Sequence, residues 1–443
     1  MLKKFNIIVN KKINSYNKII KVDSDKSISI RSLLLGSISK NISKVENILE
    51  SEDVKSTITC LKKLGVKIIF KNGIYKIFGK GLGSLKAKKN IELNFGNSGT
   101  LARLAIGILS TTPNISLKIN GDHSLKKRSM KNLIMLMNQF GATFTPKNKF
   151  FFPLKITSSN IPVGINYKAG VSAQLKSAVM LAGLNSYGTT KIFAQRKSRD
   201  HTEKMLLQNE NVIKIKNDII KISGKNELKP MHIKVFGDPS SAAFFCALTI
   251  LKNNSSLKIL NVGLNATRIG FYKLLKKHGA KIKFEKIKIS NHESFGNIII
   301  KSSKIKPINA SKKYYVNATD EYPILFILAA LTKGVSIFRG IGDLANKESN
   351  RIREMQRVLD QIGIKSKSSI NELKIYGKGL IDASNKNVSV QNLGDHRICM
   401  STFILSILTG ANTIINNFET VNTSSPSFLK IMKFLGAKFE IQK

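Results

Sequence analysis

The sequence predicts an α/β protein assembled from six copies of one module. Three observations carry that prediction. A helix-ending phrase recurs along the chain. Segments with strand alternation or β-branched residues lie between its copies. Six apolar runs long enough for buried helices alternate with them, most placed directly behind a short polar stretch.

The recurring phrase is an amphipathic run, then Gly, then an alternating segment. It stands at Leu61-Lys62-Lys63-Leu64-Gly65-Val66, Met137-Asn138-Gln139-Phe140-Gly141-Ala142, Leu275-Lys276-Lys277-His278-Gly279-Ala280, Leu359-Asp360-Gln361-Ile362-Gly363-Ile364 and Met432-Lys433-Phe434-Leu435-Gly436-Ala437, with a degenerate copy at Leu207-Gln208-Asn209-Glu210-Asn211-Val212. Gly behind a helix takes the left-handed backbone that stops it, and Asn is the next-best substitute. Successive copies lie 76 (65 to 141), 70 (to 211), 68 (to 279), 84 (to 363) and 73 (to 436) residues apart. Chance helix caps would be less even, so one unit is repeated.

Within the modules, Lys67 to Phe70, Tyr75 to Phe78, Ser116 to Ile119, Lys281 to Phe284 and Ser336 to Phe338 alternate or are β-branched and predict strands. Ser32 to Leu35, Leu101 to Leu109, Leu175 to Leu184, Ala242 to Leu251, Ile324 to Leu331 and Ile398 to Leu408 predict buried helices. Gly237-Asp238-Pro239-Ser240-Ser241 predicts a further helix start, with Asp or Ser as cap. Ile398 to Phe418 carries no charge, but Ser, Thr, Asn and Gly interrupt it, so it reads as a buried helix and strand and not a membrane span.

The 443 residues allow two to three domains, and 42% apolar content makes the chain globular. The formal net charge of +46 would by itself point to nucleic acid. Yet the lysines are spread along the whole chain, mostly on polar faces, and neither aromatic interleaving nor a recognisable nucleic-acid module accompanies them. They read as a solvated surface. Cys60, Cys246 and Cys399 sit far apart in apolar stretches and match no metal spacing, so reduced core thiols and a reducing, cytoplasmic compartment are expected. The opening ten residues hold too short an apolar run for a signal peptide.

Arg is scarce, 11 of the 73 cationic residues, yet it recurs in six polar stretches. These are Ser24-Asp25-Lys26-Ser27-Ile28-Ser29-Ile30-Arg31, Asn97-Ser98-Gly99-Thr100-Leu101-Ala102-Arg103, Gly121 to Arg128, Ser198-Arg199-Asp200-His201, Asn346-Lys347-Glu348-Ser349-Asn350-Arg351 and Asp395-His396-Arg397. A planar guanidinium fork is the side chain for carboxylate and phosphate. Several stretches precede predicted helices, whose N-termini favour anions. One or more small polyanions are therefore expected as ligands.

Together these motifs resemble the 3-phosphoshikimate 1-carboxyvinyltransferase (EPSP synthase) family, in order, from about residue 22 to 430. Ser198-Arg199-Asp200-His201-Thr202-Glu203-Lys204-Met205 and Lys347-Glu348-Ser349-Asn350-Arg351 carry most of the likeness. The resemblance implies a two-domain inside-out α/β barrel built from six βαβαββ repeats. One domain is then discontinuous, 1–23 plus 238–443, and the other inserted, 24–237, with the active site in the interdomain cleft. It implies transfer of the enolpyruvyl group of phosphoenolpyruvate to the 5-hydroxyl of shikimate 3-phosphate, by addition and elimination through a tetrahedral ketal. No cofactor, metal, nucleic acid or membrane partner is expected, and a monomer is expected.

Residue by residue, the resemblance assigns Lys26 to both substrates, Ser27 and Arg31 to the carboxylate side of shikimate 3-phosphate, and Ser172, Ala173, Gln174 and Ser198 to its phosphate. Gly99, Arg128, Gln174, Arg351 and Arg397 fall to phosphoenolpyruvate. Asp320 would take the 5-hydroxyl proton, with Lys347 beside it, and Glu348 or Lys26 would deliver a proton to the methylene. Plainer readings stand beside these. Asp320 is also placed to cap a helix, and Lys347, Glu348 and Arg351 to form a solvated helix pair. Arg103 reads as structural, Ser240 and Ser241 as caps, His278 and His292 as surface residues. Arg199 and His201 are open between loop structure and substrate contact, and His396 between orienting Arg397 and assisting proton transfer.

Some positions depart from the family pattern: Ser24 for Gly, Ser129 for Pro, Asp343 for Asn and Thr423 for Lys. Ser172-Ala173-Gln174-Leu175-Lys176, Arg199 to Glu203 and Asn265-Ala266-Thr267-Arg268 resemble the subgroup called class II, often less sensitive to glyphosate. Gly99 is the sensitive-type residue, so intermediate inhibition is expected. The sister UDP-N-acetylglucosamine enolpyruvyl transferases typically carry a reactive Cys in the loop matching 121 to 130, and none stands there. That family, and a basic nucleic-acid-binding protein, are the alternative readings.

Overall fold

A computed structural model describes residues 4–88, 90–195, 197–391 and 393–442. Six four-stranded sheets share one topology. An edge strand runs parallel to a second strand, which runs antiparallel to a third, and the third pairs with an outer fourth. Three sheets come from contiguous segments: Glu92–Asn94 to Leu154–Thr157, Asn166–Lys168 to Ile219–Ser223, and Asn309–Ala310 to Glu372–Gly377. The other three borrow a strand from far along the chain. Asn17–Lys21 pairs parallel with Ser256–Gly263, His232–Lys234 parallel with Ile42–Glu46, and Asn6–Val9 antiparallel with both Asn412–Ile415 and Glu440–Gln442.

The contiguous modules read strand, inner helix, strand, outer helix, strand, strand, the predicted βαβαββ unit. The inner helices are Lys26–Ile38, Gly99–Thr111 and Ala173–Leu184 in one half, and Pro239–Leu251, Tyr322–Ala330 and His396–Thr409 in the other. Each is buried almost all round, which suits a helix enclosed by its neighbours with the sheets outside. Outer helices such as Glu52–Lys63 and Gly270–Lys277 are amphipathic, with one face buried and the other exposed.

All five recurring glycines end an outer helix with positive φ, from 74° at Gly363 to 99° at Gly436. After Glu52–Lys63, the Val66 amide donates to Leu61 O and the Gly65 amide to Lys62 O, both at 3.0 Å. This paired closure satisfies two helix-end carbonyls, and the other four copies repeat it. The degenerate copy differs. Its helix, His201–Leu206, is capped at Leu207, and Asn211 does not take the left-handed backbone.

Asp and Ser start five of the six inner helices. Asp25, Ser98, Ser172, Asp238 and Asp395 each accept a backbone amide of the following turn. Ser240 and Ser241, expected as caps, lie inside Pro239–Leu251, because Asp238 already receives the Ser240 amide. His278, expected at the surface, is buried. Its Nδ1 donates to Leu274 O at 2.8 Å and its Nε2 accepts the Asn309 amide at 3.0 Å. Only a neutral Nδ1–H tautomer serves both.

The chain divides into two units. The discontinuous unit holds the residues up to Asp23, Phe236–Ile289 and Ser294 onward; the inserted unit holds Ser24–Val235 and the hairpin tip Ser290–Glu293. Each has its own apolar core. All three cysteines are free and buried, and burial pushes the Cys60 thiol up to about 12. Among the described residues no helix is long and apolar enough to cross a membrane.

Candidate active site

In the inserted unit the predicted residues gather at the heads of the three inner helices. Lys26, 17% exposed, pairs with the buried Asp53 at 3.0 Å. Asp53 escaped the sequence reading because an acidic residue in the first turn of Glu52–Lys63 looks like ordinary dipole complement. Gln174 Nε2 donates to Thr100 Oγ1 at 3.1 Å and ties the heads of Ala173–Leu184 and Gly99–Thr111 together. Ser172 spends its hydroxyl lone pair as the cap of its helix, which leaves its proton for a ligand.

Two guanidinium groups flank Gly99. Arg103 NH1 donates to Gly99 O at 3.1 Å. Arg128 is held by Asn97 Oδ1 and, at 3.0 Å, by Ser124 Oγ. A Cβ on Gly99 would lie 2.8 Å from Arg103 NH1 and 3.2 Å from Arg128 NH1, so only glycine leaves that approach open. Arg103, read as structural, therefore stands beside this cradle. Ser129, a departure from Pro, receives the Lys131 amide at 3.2 Å, so the start of that helix is held and not loosened.

Arg31 is buried. Its Nε donates to Thr202 Oγ1 at 2.9 Å, and its two amino groups to Ser27 O at 3.1 Å and Ser177 Oγ at 3.3 Å. Ser198 is buried, and its hydroxyl has no hydrogen-bond partner among the described residues. His201 is buried, and its Nδ1 lies 2.6 Å from the Glu293 carboxylate.

In the discontinuous unit Asp320, Glu348 and a further carboxylate, Asp395, come together around Arg351. Arg351 is 1% exposed and Asp395 fully buried. Arg351 Nε donates to Asp395 Oδ2 at 2.9 Å, and its NH2 reaches Glu348 Oε2 at 2.7 Å and Asp395 Oδ1 at 3.3 Å. Burial works against this charge, but Asp395 and Glu348 outweigh it and hold the guanidinium still further above its ordinary pKa. NH1 lies 3.7 Å from Asp320 and makes no hydrogen bond among the described residues. The solvated helix pair is thus ruled out. Nor does Asp320 cap a helix: it sits in a 3-10 turn, and Tyr322–Ala330 has no side-chain cap.

Lys347 is engaged with Asp343, at 2.6 Å. Tyr315 donates its hydroxyl to the same carboxylate at 2.7 Å, and burial, then Asp343, pushes that phenol well above its ordinary range. So Asp343 positions Lys347. Arg397 is buried with its guanidinium carbon 5.7 Å from the Phe244 ring centre. Its Nε and NH1 have no hydrogen-bond partner among the described residues. A buried cation with idle donors is costly in the free protein and suited to an incoming anion. Arg268, noted in the sequence only as part of a motif, is buried too. It donates to Asp238 and Ser240 at 3.0 Å, and Ser240 bonds Glu321, the neighbour of Asp320. Among the described residues, no group of three or more His, Cys, Asp or Glu side chains is placed to hold a metal ion.

The family model described as EPSP synthase (3-phosphoshikimate 1-carboxyvinyltransferase) matches residues 10–432. The chain is 37% identical over 443 residues to the 3-phosphoshikimate 1-carboxyvinyltransferase of Zymomonas mobilis, covering 98% of this chain and 97% of that one. It is 35% identical over 431 residues to the Bacillus subtilis protein of the same name, covering 96% and 99%. A solved structure of EPSP synthase from Acinetobacter baumannii superposes with a TM-score of 0.85 at 32% identity, covering 99% of this chain and 100% of that one.

Proposed function

We infer the roles of these residues from one premise: the chain belongs to the 3-phosphoshikimate 1-carboxyvinyltransferase (EPSP synthase) family. It transfers the enolpyruvyl group of phosphoenolpyruvate to the 5-hydroxyl of shikimate 3-phosphate, a step of the shikimate pathway to chorismate and aromatic amino acids. The two substrates bring two phosphates and two carboxylates, roughly five to six negative charges. Their mutual repulsion has to be offset by cations before the reacting atoms can meet. Lys26, Arg31 and Arg128 supply charge from the inserted unit; Lys347, Arg351 and Arg397 supply it from the discontinuous unit.

Arg128, Arg351 and Arg397 clamp phosphoenolpyruvate, with the Gly99 backbone and Gln174 beside it. Ser27 and Arg31 take the carboxylate side of shikimate 3-phosphate, and Ser172, Ala173, Gln174 and Ser198 its phosphate. Asp320, 25% exposed and one ion-pair distance from Arg351 NH1, removes the 5-hydroxyl proton as that oxygen bonds the central carbon of phosphoenolpyruvate. Glu348 or Lys26 adds a proton to the methylene, giving the tetrahedral ketal. Loss of phosphate with return of that proton from the methyl group gives the enolpyruvyl ether. General acid–base chemistry is sufficient for these steps.

The observation that carries the reading is Arg397, buried with two donor atoms idle. The test is release of phosphate from phosphoenolpyruvate and shikimate 3-phosphate without added metal. Asp320→Ala and Lys26→Met should each lose about 10²- to 10⁴-fold in kcat while still folding, with Lys26→Met melting lower than wild type because it takes the ammonium away from buried Asp53. Full activity in either removes that residue from the mechanism. The buried free thiols favour a cytoplasmic enzyme, and sedimentation tests the expected monomer.

A further inference from the structure

We propose that the buried Lys176–Glu203 pair is a positioning device for the shikimate 3-phosphate-binding residues Ser172, Gln174 and Ser198. The proposal rests on the assignment of those three residues above.

Lys176 lies in the first turn of Ala173–Leu184, just behind Ser172 and Gln174. Glu203 lies in the short helix His201–Leu206. Their side chains are 3% and 5% exposed and meet at 2.5 Å. The next residue on one helix and the previous residue on the other make a second link, Ser177 Oγ to Thr202 Oγ1 at 2.8 Å. Arg31 donates to both of these hydroxyls. Two consecutive cross-links fix the two helices in register.

The same ammonium makes a second contact, to Ser198 O at 3.5 Å. One buried cation thus joins the head of Ala173–Leu184 to the segment that carries Ser198, whose own hydroxyl has no partner among the described residues. Losing the pair would let Ser198 move relative to Ser172 and Gln174.

Stability alone is a poor reason for such a pair. Desolvating two ions costs about what their attraction returns, and apolar replacements of similar volume are often neutral or stabilising. This pair is not even well satisfied, because Glu203 Oε2 has no hydrogen-bond partner among the described residues. Burial pushes the Glu203 carboxyl up, against the pull of Lys176. What the pair supplies that apolar groups would not is a directed link to the Ser198 carbonyl.

The test uses full-length protein and steady-state phosphate release with each substrate varied in turn. The double variant Lys176→Met/Glu203→Leu removes the pair without stranding a buried charge, so it should melt within a few degrees of wild type. It should raise KM for shikimate 3-phosphate about ten- to a hundredfold, with KM for phosphoenolpyruvate within about threefold of wild type. Lys176→Arg, which keeps the charge and the donor, should recover most of the loss. A double variant that melts like wild type and keeps its KM for shikimate 3-phosphate overturns the proposal. So does a parallel rise in both KM values that tracks lost stability. If the double variant does not fold, Glu203→Gln decides by the same KM ratio: an unchanged ratio overturns, a raised one supports. Failure of wild-type protein to turn the two substrates over sinks the underlying functional reading instead.

Discussion

Replacing Asp395 by Asn isolates the charge at the centre of the discontinuous unit. The substitution keeps the side-chain shape, and Asn caps helices as well as Asp, so the Arg397 amide, now 3.0 Å from Asp395 Oδ1, retains an acceptor. What goes is the negative charge facing Arg351 across 2.9 Å, with the two side chains 1% and 0% exposed. Breaking a buried pair on one side costs about 3–5 kcal/mol, because the other charge is left short of compensation. Glu348 and Asp320 still face Arg351, which argues for the low end, about 3 kcal/mol. For a unit of this size that is a fall of about 6–12 °C in melting temperature. Asp395→Ala should lose about 1 kcal/mol more, the value of the cap. The measurement is scanning calorimetry of the full chain, following the transition that carries the discontinuous unit. Arg351 also loses the fork that aims it, so KM for phosphoenolpyruvate should rise in the folded variant. A melting temperature within 2 °C of wild type would refute the reasoning, since Arg351 would then draw no net support from its most buried partner.

Three further outcomes follow from the geometry. Gly99→Ala should leave stability nearly unchanged, because the added methyl meets only the flexible ends of Arg103 and Arg128, but should raise KM for phosphoenolpyruvate; an unchanged KM would show that the ligand does not approach there. Asp23 accepts Ser425 Oγ and the Ser427 amide, both at 3.0 Å, yet burial outweighs those bonds and raises its pKa. A carboxyl raised on folding stabilises fully below its unfolded value, near 3.8, and loses that contribution as pH climbs through the folded value. Asp23→Asn should therefore flatten the fall of the urea midpoint from about pH 4 upward, and identical slopes for the two proteins would contradict this. Finally, an aromatic disulfide reagent should label no thiol in the native protein and three after unfolding; rapid native labelling would contradict the burial of these thiols.

The repeat was legible because its signal is local. A glycine that must adopt positive φ announces itself wherever an outer helix ends, as at Gly65 and Gly436. Long apolar runs mark the inner helices, and Asp25, Ser98, Ser172 and Asp395 mark their starts. The end of the third outer helix is not legible in the sequence, because Asn211 imitates a cap while the helix closes at Leu207. His278 was misread for a different reason. Both of its hydrogen bonds are to backbone, one of them 31 residues away, and no side-chain pattern records a backbone partner.

The amino-acid order alone determined the α/β class, the sixfold repeat and which arginines gather in polar stretches at helix heads, since each depends on neighbours within a few turns. The tertiary structure alone decided how those cations are occupied. Lys26 meets Asp53, Lys347 meets Asp343, Lys176 meets Glu203 and Arg351 sits among Glu348, Asp395 and Asp320. Arg397 keeps idle donors. Ion pairing depends on distances of a few ångströms between side chains that stand far apart along the chain, and folding sets those distances.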